Sequence, residues 1–229
     1  MVAVSVPEAV VAVCGVILFS YTTCFVPGDP KWTEQFGAGS VYLTLQTNVL
    51  LQLFCVFNVA VAALCFASPG AVPRKVSVAQ NALDRVFFAL GIFVCIGYYG
   101  LIHFDPAIQG IMGRWDPNFH VHTHLLHAGP ALFGFLNLLS RPPATLNFPG
   151  KSDYMLLVAY AIAYSTWSKF CTWMRNGVFP YPFQAQFELH HHLLFDIVSI
   201  VVVCGFLSLA RYVTRARMGR ELGKAVKST

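Results

Sequence analysis

The sequence predicts an all-α fold, a polytopic membrane helix bundle with about six transmembrane helices. Hydrophobic residues make up 56% of the 229 residues and charged residues only 11%, whereas a soluble domain carries about a quarter charged residues. The apolar runs have the length of a membrane crossing, which is roughly 20 residues. They are continuous and do not alternate with polar residues over about ten positions, which argues against a transmembrane β-barrel.

Six runs are predicted to cross the membrane, and they divide the chain into two parts. The predicted spans are Val4–Phe25, Val41–Ala67, Arg85–Phe104, His122–Leu139, Tyr154–Trp173 and Leu193–Val213. Residues 1–213 would form one six-helix transmembrane domain, and residues 214–229 a basic cytoplasmic tail. Clustered Lys and Arg beside a membrane helix favour contact with anionic lipid. We therefore expect no nucleic-acid partner, despite a net charge of +5.

The distribution of positive charge predicts the orientation of these spans. With six crossings both termini lie on one side, and that side collects eleven of the 15 Lys and Arg residues. The other side has three, and Lys169 falls inside the fifth span. Cytosolic loops of membrane proteins are enriched in Lys and Arg. We expect both termini in the cytosol, in a multi-pass protein of the endoplasmic reticulum or the plasma membrane.

This topology places all eight histidines at the non-cytosolic end of the bundle. One ends the third span, four open the fourth and three open the sixth; they are His103, His120, His122, His124, His127, His190, His191 and His192. Within the fourth span, His120, His124 and His127 recur at i, i+4 and i+7 and share one helix face, while His122 points elsewhere.

A second polar stripe enters the membrane from the same side, in the second span. Thr44, Asn48 and Gln52 recur every four residues and share a helix face. Polar groups this deep in a membrane face the bundle interior or a wet cavity, so we expect the two stripes to meet across one. A Thr hydroxyl becomes a nucleophile when a base such as His takes its proton. Thr44 and a histidine of the fourth span are therefore a candidate pair for hydrolysis, although hydrogen bonding between helices is the simpler role for a membrane Thr.

Two other function classes stay open at this stage. His120-x-x-x-His124 and the run 190–192 resemble pieces of the histidine boxes of membrane di-iron oxygenases, and imidazole is a common ligand of iron, copper and zinc. A histidine-ligated metal or haem oxidoreductase is therefore an alternative, although a third box is missing and carboxylates are few. Lys169 and Asp196 lie inside spans. They either pair with each other or mark a lipid-binding or transport protein.

Three segments of the chain, taken in order and spacing, carry a resemblance to a known family. They are Phe36-Gly37 followed by Tyr42-Leu43-Thr44 and Gln52; His124-Leu125-Leu126-His127; and Tyr164 and Trp167 followed by the run from Gly177 to Pro182. In these segments the chain resembles the family of the androgen-induced gene 1 protein and the androgen-dependent tissue-factor-pathway-inhibitor-regulating protein. The resemblance covers most of the chain, from residue 36 to about residue 182.

The resemblance implies an integral membrane hydrolase that cleaves fatty acid esters of hydroxy fatty acids with a Thr nucleophile and a His base. The Thr corresponds to Thr44, with Thr47 as the reserve candidate, because one residue more than expected separates Thr44 from Gln52. The His corresponds to His127. An alternative register would use His122-Thr123 instead. No cofactor or metal is required, and the only partner expected is the lipid substrate in the bilayer.

Supporting roles are assigned more broadly. His124 accompanies His127, and either Asn48 or His124 would donate a hydrogen bond to the oxyanion, a contribution of roughly 3 kcal/mol in other enzymes. Gln52 and His120 complete the candidate set. The third member of a catalytic triad stays open among Asp105, Asp116 and Glu188.

Overall fold

The computed structural model describes residues 4–26, 35–68, 70, 72–104, 116–147 and 149–227, and this part of the chain is all-helical without a β-strand. Its long helices are α1 (Val6–Cys24), α2 (Leu43–Ala67), α3 (Arg74–Phe104), α4 (Phe119–Ser140), α5 (Lys151–Met174) and α6 (Leu189–Lys227). Short 3-10 helices precede α2, α5 and α6, at Ala38–Val41, Pro143–Thr145 and Pro182–Gln186. The predicted all-α fold is confirmed.

Four of the six predicted crossings are supported by length and apolar composition alone. These are α1, α2, α3 and the part of α6 from Leu189 to Arg220. The helices α4 and α5 have 22 and 24 residues, or about 33 and 36 Å at 1.5 Å per residue, so they are long enough to cross. Their lower hydropathy reflects the histidines of α4 and the charged and polar residues of α5, so their crossings stay predictions.

The predicted start of the third span, Arg85, is wrong by eleven residues, because α3 begins at Arg74. Its first turns are polar, so they were assigned to a loop. In the structure several of the polar side chains in the first half of α3 are buried, among them Ser77, Gln80 and Asn81. Arg85 forms an ion pair with Asp153 of α5 at 2.7 Å, and Gln80 donates to Asn58 of α2 at 2.8 Å.

The last helix also runs further than predicted. The helix α6 continues to Lys227, so residues 214–227 continue the helix of the last predicted span. Two of its arginines bind the protein rather than being free for lipid. Arg217 donates to the carbonyl oxygens of Leu139 and Arg141 at 3.0 and 2.7 Å, and Arg211 lies over the ring of Tyr154 at 4.4 Å.

The apolar core lies where α1, α2, α3 and α4 meet. Phe19 of α1 packs edge-to-face on Phe133 of α4, with ring centroids 5.3 Å apart. The helices α3 and α4 approach so closely at Gly91 that a Cβ atom there would lie 2.5 Å from the carbonyl oxygen of Pro130. A Cβ on Gly134 would lie 2.9 Å from the Cα atom of Phe88. Glycine at these positions lets two backbones touch, as in other membrane helix pairs.

A buried charge network closes the end of the bundle where α1 begins and α4 ends. Arg141 forms ion pairs with Asp84 of α3 and with Glu8 of α1, the latter at 2.8 Å. Asn137 donates a second hydrogen bond to Asp84. All four side chains are buried. One guanidinium thus neutralises carboxylates from two helices and joins α1, α3 and the end of α4.

We predict that Arg141→Gln destabilises the protein by about 3–5 kcal/mol, because it leaves two buried carboxylates without their cation. Thermal unfolding of the purified protein in detergent measures the effect. Arg74→Gln is the matched control, because Arg74 is exposed. Equal unfolding temperatures for the two variants would contradict the structural role of Arg141.

Candidate functional site

Thr44 lies in the first turn of α2, directly after a sharp change in chain direction. The chain turns at Gly37, which has a φ of 79°. A Cβ atom at Gly37 would also lie 2.6 Å from Sγ of Cys171. Only glycine meets both demands without strain. The 3-10 helix Ala38–Val41 then leads into α2, so the position of Thr44 depends on how residues 36–42 are held.

The second half of α5 and the loop after it hold this segment. Arg175 is buried and donates from Nε to the carbonyl oxygen of Phe36 at 2.6 Å and from Nη2 to that of Ala38 at 3.0 Å. Three aromatic side chains act beside it, and the first of them, Trp167, donates to the Ser40 hydroxyl at 3.1 Å. We call Arg175, Trp167, Tyr164 and Tyr181 the α2 clamp.

The two tyrosines of the clamp bind the backbone next to Thr44. Tyr164 donates to the carbonyl oxygen of Val41 at 3.0 Å, and the Tyr181 hydroxyl accepts from the N–H of Leu43 at 3.3 Å. Burial raises the pKa of the Tyr181 hydroxyl. The three segments that carry the family resemblance are far apart in sequence, and two of them meet in this clamp. Arg175 completes it, although the sequence analysis did not single it out.

Thr44 is half-buried, and within the described part of the chain its hydroxyl makes no hydrogen bond. The reserve candidate Thr47 is fully buried, and its side chain lies against the Tyr160 hydroxyl. Of the two hydroxyls, only that of Thr44 is open to a molecule from outside the bundle. Thr44 also lies in the first turn of α2, where backbone N–H groups have no hydrogen-bond partner within the helix.

Asn48, one turn below Thr44, joins three helices through a single amide group. Its Nδ2 donates to the carbonyl oxygens of Thr44 at 2.8 Å and of Leu126 in α4 at 3.0 Å. Its Oδ1 accepts from the Thr22 hydroxyl of α1 at 2.9 Å. Both amide hydrogens are therefore used, and Asn48 has none left for an oxyanion. It supports the site by fixing α2 against α1 and α4.

The contacts of Asn48 also set which residues of α2 and α4 lie at one depth. Asn48 meets Leu126, and seven residues further along each helix Cys55 and Phe133 both lie against Gly15 of α1. Equal spacing along both chains means that α2 and α4 run parallel and in step. One turn above the Asn48 contact, Thr44 therefore lies level with residue 122 of α4.

The helix α4 presents two faces to its neighbours, and they separate the candidate histidines. His122 lies on the face directed at α1, where its Nε2 lies 2.8 Å from the Tyr21 hydroxyl. His127 lies on the face directed at α3, where its ring stacks on Tyr98 at a centroid distance of 3.6 Å. Thr123 shares that face and donates to the Tyr98 hydroxyl at 2.6 Å.

The predicted meeting of the two stripes across a cavity is therefore wrong. His124 is exposed and bonded to Tyr99 of α3, and His120 is exposed as well. Gln52 is directed at α1 instead, where its Oε1 accepts from Thr23 at 2.9 Å. Helix periodicity gave the correct shared face within each stripe, but not which neighbouring helix that face would meet.

A buried carboxylate orients His122. Its Nδ1 lies 2.6 Å from the Oδ2 atom of Asp116, and both side chains are buried. The Nδ1–H donates to this carboxylate, so Nε2 carries the lone pair and accepts from the Tyr21 hydroxyl. Asp116 was one of three open choices for a third residue. Of the others, Asp105 lies outside the described residues and Glu188 lies beside His190 and His191.

His127 also has its tautomer fixed, but by the backbone. Its Nδ1–H donates to the carbonyl oxygen of Thr123 at 2.8 Å, which leaves the lone pair on Nε2. Both His122 and His127 could thus act as bases through Nε2. Only His122 has a carboxylate partner, which stabilises the charged ring after proton uptake.

A cavity of about 520 Å³ lies beside the first turns of α2. Its lining comes from α1, α2, α5 and the 3-10 helix before α2, namely Thr23, Gly39, Ser40, Leu45, Gln46, Val49, Leu50 and Tyr160. Most of these side chains are apolar or small. The lining includes Leu45, the direct neighbour of Thr44. The volume of the cavity falls in the range of small-molecule sites, about 300–1,000 Å³.

The charged side chains in the middle of α5 and at the start of α6 pair with each other. Lys169 and Asp196 form an ion pair, and the Ser165 hydroxyl donates to the same carboxylate at 2.8 Å. The simpler of the two expectations for these residues is confirmed.

We predict that Arg175→Gln loosens the start of α2, because a neutral side chain cannot hold two carbonyl oxygens in the same fork. Hydrogen–deuterium exchange of residues 36–45 should rise, and exchange in the middle of α3 should stay unchanged. Arg215→Gln, at an exposed position of α6, is the control. Unchanged exchange at residues 36–45 in the Arg175 variant would show that the clamp does not hold this segment.

Comparison with known proteins gives a match to one family. The family model described as FAR-17a/AIG1-like protein matches residues 8–215, nearly the whole chain. No curated protein and no solved structure matches the chain significantly. The match includes Thr44, Asp116 and all the histidines of α4. This chain belongs to the FAR-17a/AIG1-like protein family.

Proposed function

We propose that this protein is a membrane-embedded lipid ester hydrolase with Thr44 as the nucleophile, and that its substrates are fatty acid esters of hydroxy fatty acids. The observation that carries the proposal is the buried Asp116–His122 pair on the face of α4 directed at α1, level with Thr44 of α2. A carboxylate, an imidazole and a hydroxyl in this order are the parts of a nucleophilic triad.

In the proposed reaction, Nε2 of His122 takes the proton of the Thr44 hydroxyl as Oγ1 attacks the ester carbonyl. The tetrahedral intermediate then expels the hydroxy fatty acid, whose alkoxide oxygen receives the proton from His122. The fatty acyl group stays on Thr44 as an ester. Water attacks this ester as His122 takes one of its protons. The tetrahedral intermediate then releases the fatty acid, and His122 returns the proton to Oγ1 of Thr44.

Tyr21 is the proposed hydrogen-bond donor to the oxyanion, in place of Asn48. In the resting state its hydroxyl donates to Nε2 of His122. Because Nε2 has one lone pair, the Tyr21 hydroxyl has to turn away before Nε2 takes the Thr44 proton, and it is then free to donate to the oxyanion. The Tyr21 side chain is 40% exposed, which leaves it room to turn. In the first turn of α2, the N–H of Leu43 is used by Tyr181, and the N–H groups that follow it would add to this stabilisation.

The cavity beside α2 is the proposed site for one hydrocarbon arm of the substrate. It is lined by Leu45, Val49 and Leu50, and it adjoins Thr44 through Leu45. Its lining includes Gly39 and Ser40, so the cavity extends to the end of the bundle where α2 begins. A substrate could thus reach Thr44 from the bilayer without leaving it.

His127 remains the base that the family resemblance implies, and the experiment is designed to separate it from His122. The two residues are five positions apart on one helix but face α1 and α3 respectively. Equal substitutions at the two positions therefore test two different sites with little difference in topology or expression.

We predict that Thr44→Ala abolishes ester hydrolysis and that His122→Gln lowers kcat by about 100-fold or more, the range for loss of a general base. His127→Gln and Thr47→Ala should keep most of the activity. The assay uses a fatty acid ester of a hydroxy fatty acid with purified protein in detergent. Thermal unfolding of each variant confirms that it is folded.

Asp116→Asn should lower kcat strongly with little change in KM, because the Asn amide donates to Nδ1 and moves the ring proton to Nε2. A fluorophosphonate probe followed by mass spectrometry should label the peptide that contains Thr44, and labelling should fall in His122→Gln. Full activity of Thr44→Ala would overturn the proposal. Loss of activity in His127→Gln but not in His122→Gln would reassign the base to His127.

A further inference from the structure

A cluster of metal-binding side chains lies where the last loop meets α6, outside the proposed hydrolase site. Glu188 directly precedes the helix, and His190 and His191 are in its first turn. One potential ligand atom from each residue lies within 4.8 Å of the others. Within the described part of the chain, this is the one group of three such residues that meets that distance.

We propose that Glu188, His190 and His191 form a binding site for a divalent first-row transition metal ion, with zinc as the ion best suited to it. Two imidazoles and one carboxylate are the donor set that favours zinc, copper or nickel over magnesium or calcium. Three protein ligands leave the fourth tetrahedral position to water. The site is open and the ion is exchangeable.

The present side-chain positions need only small rotations to bind the ion. Ligand atoms at about 2.1 Å from a tetrahedral zinc ion lie roughly 3.4 Å apart, and Nδ1 of His190 already lies 3.3 Å from Oε2 of Glu188. The backbone N–H of Glu188 donates to Nδ1 of His191 at 3.3 Å, a long bond that costs little to replace. All three side chains are exposed, so they turn without disturbing the core.

The third histidine of the run is half-buried and packs against the loop before α6, so it does not belong to this cluster. His192 stacks on Phe179 with ring centroids 4.9 Å apart and packs edge-on against Phe187. The run of three histidines therefore divides into two exposed ligands and one residue that fixes the loop to α6. Sequence alone does not make this division.

Binding of a metal ion would fasten the loop before α6 to the helix itself. Glu188 belongs to the loop and the two histidines to the helix, so one ion links both. The same loop carries Tyr181, whose hydroxyl accepts from the N–H of Leu43 at the start of α2. The site is therefore connected to the segment that precedes Thr44, although metal binding itself does not depend on the proposed hydrolase function.

The test measures zinc binding to the purified full chain by competition with a chromophoric chelator. The variant is His190→Gln/His191→Gln, and the matched control is His103→Gln/His120→Gln, which removes the same number of exposed histidines. We expect the first variant to bind zinc roughly tenfold or more weakly than the unchanged chain, and the control to bind it equally well. Binding should weaken in acid, because a protonated imidazole cannot coordinate a metal.

Two further measurements decide the assignment. Zinc should lower hydrogen–deuterium exchange of residues 178–188 in the unchanged chain and in the control, but not in the variant, and magnesium should have no effect. Glu188→Gln should weaken binding as well. Equal zinc affinity for the unchanged chain and the His190/His191 variant would overturn the proposal, whatever the result for ester hydrolysis.

Discussion

The amide of Asn48 is the contact on which the arrangement of the candidate site depends. In an apolar interior an amide without partners is costly, and Asn48 is fully buried. Its three hydrogen bonds are satisfied only when α1, α2 and α4 stand at one relative height. This requirement places Thr44 level with His122, so the depth of the proposed nucleophile follows from a residue that takes no part in the chemistry.

The opposite end of the bundle is held by charge rather than by neutral hydrogen bonds. Arg141 gathers carboxylates from α1 and α3 at the point where α4 ends, and Arg217 of α6 binds the last carbonyl groups of α4. The helix that carries the candidate histidines is thus fixed at both ends. Close backbone contact at Gly91 and Gly134 fixes its middle against α3. A rigid α4 fits the need of a catalytic base for a constant position.

At the end of the bundle that carries Thr44, the start of α2 depends on residues that are far away in sequence. Arg175, Tyr164 and Tyr181 bind backbone atoms of residues 36–43. These side chains therefore act on Thr44 through the backbone and not by direct contact. The loop that carries Tyr181 ends at the Glu188–His190–His191 cluster. A change at this surface cluster could therefore reach the start of α2 through a few contacts.

Composition and apolar run length determined the all-helical fold, the membrane location and most helix positions, because hydrophobic transfer depends only on local sequence. Periodicity determined which side chains share a helix face. The start of α3 escaped prediction, because Arg85 is compensated by Asp153, a partner 68 residues away. Only the tertiary structure decided which helix each face of α4 meets. In the structure His122 faces α1 and lies beside Asp116, whereas His127 faces Tyr98 of α3. The close packing of α3 against α4 at their glycines sets this orientation, and no local sequence pattern reveals which residues those glycines contact.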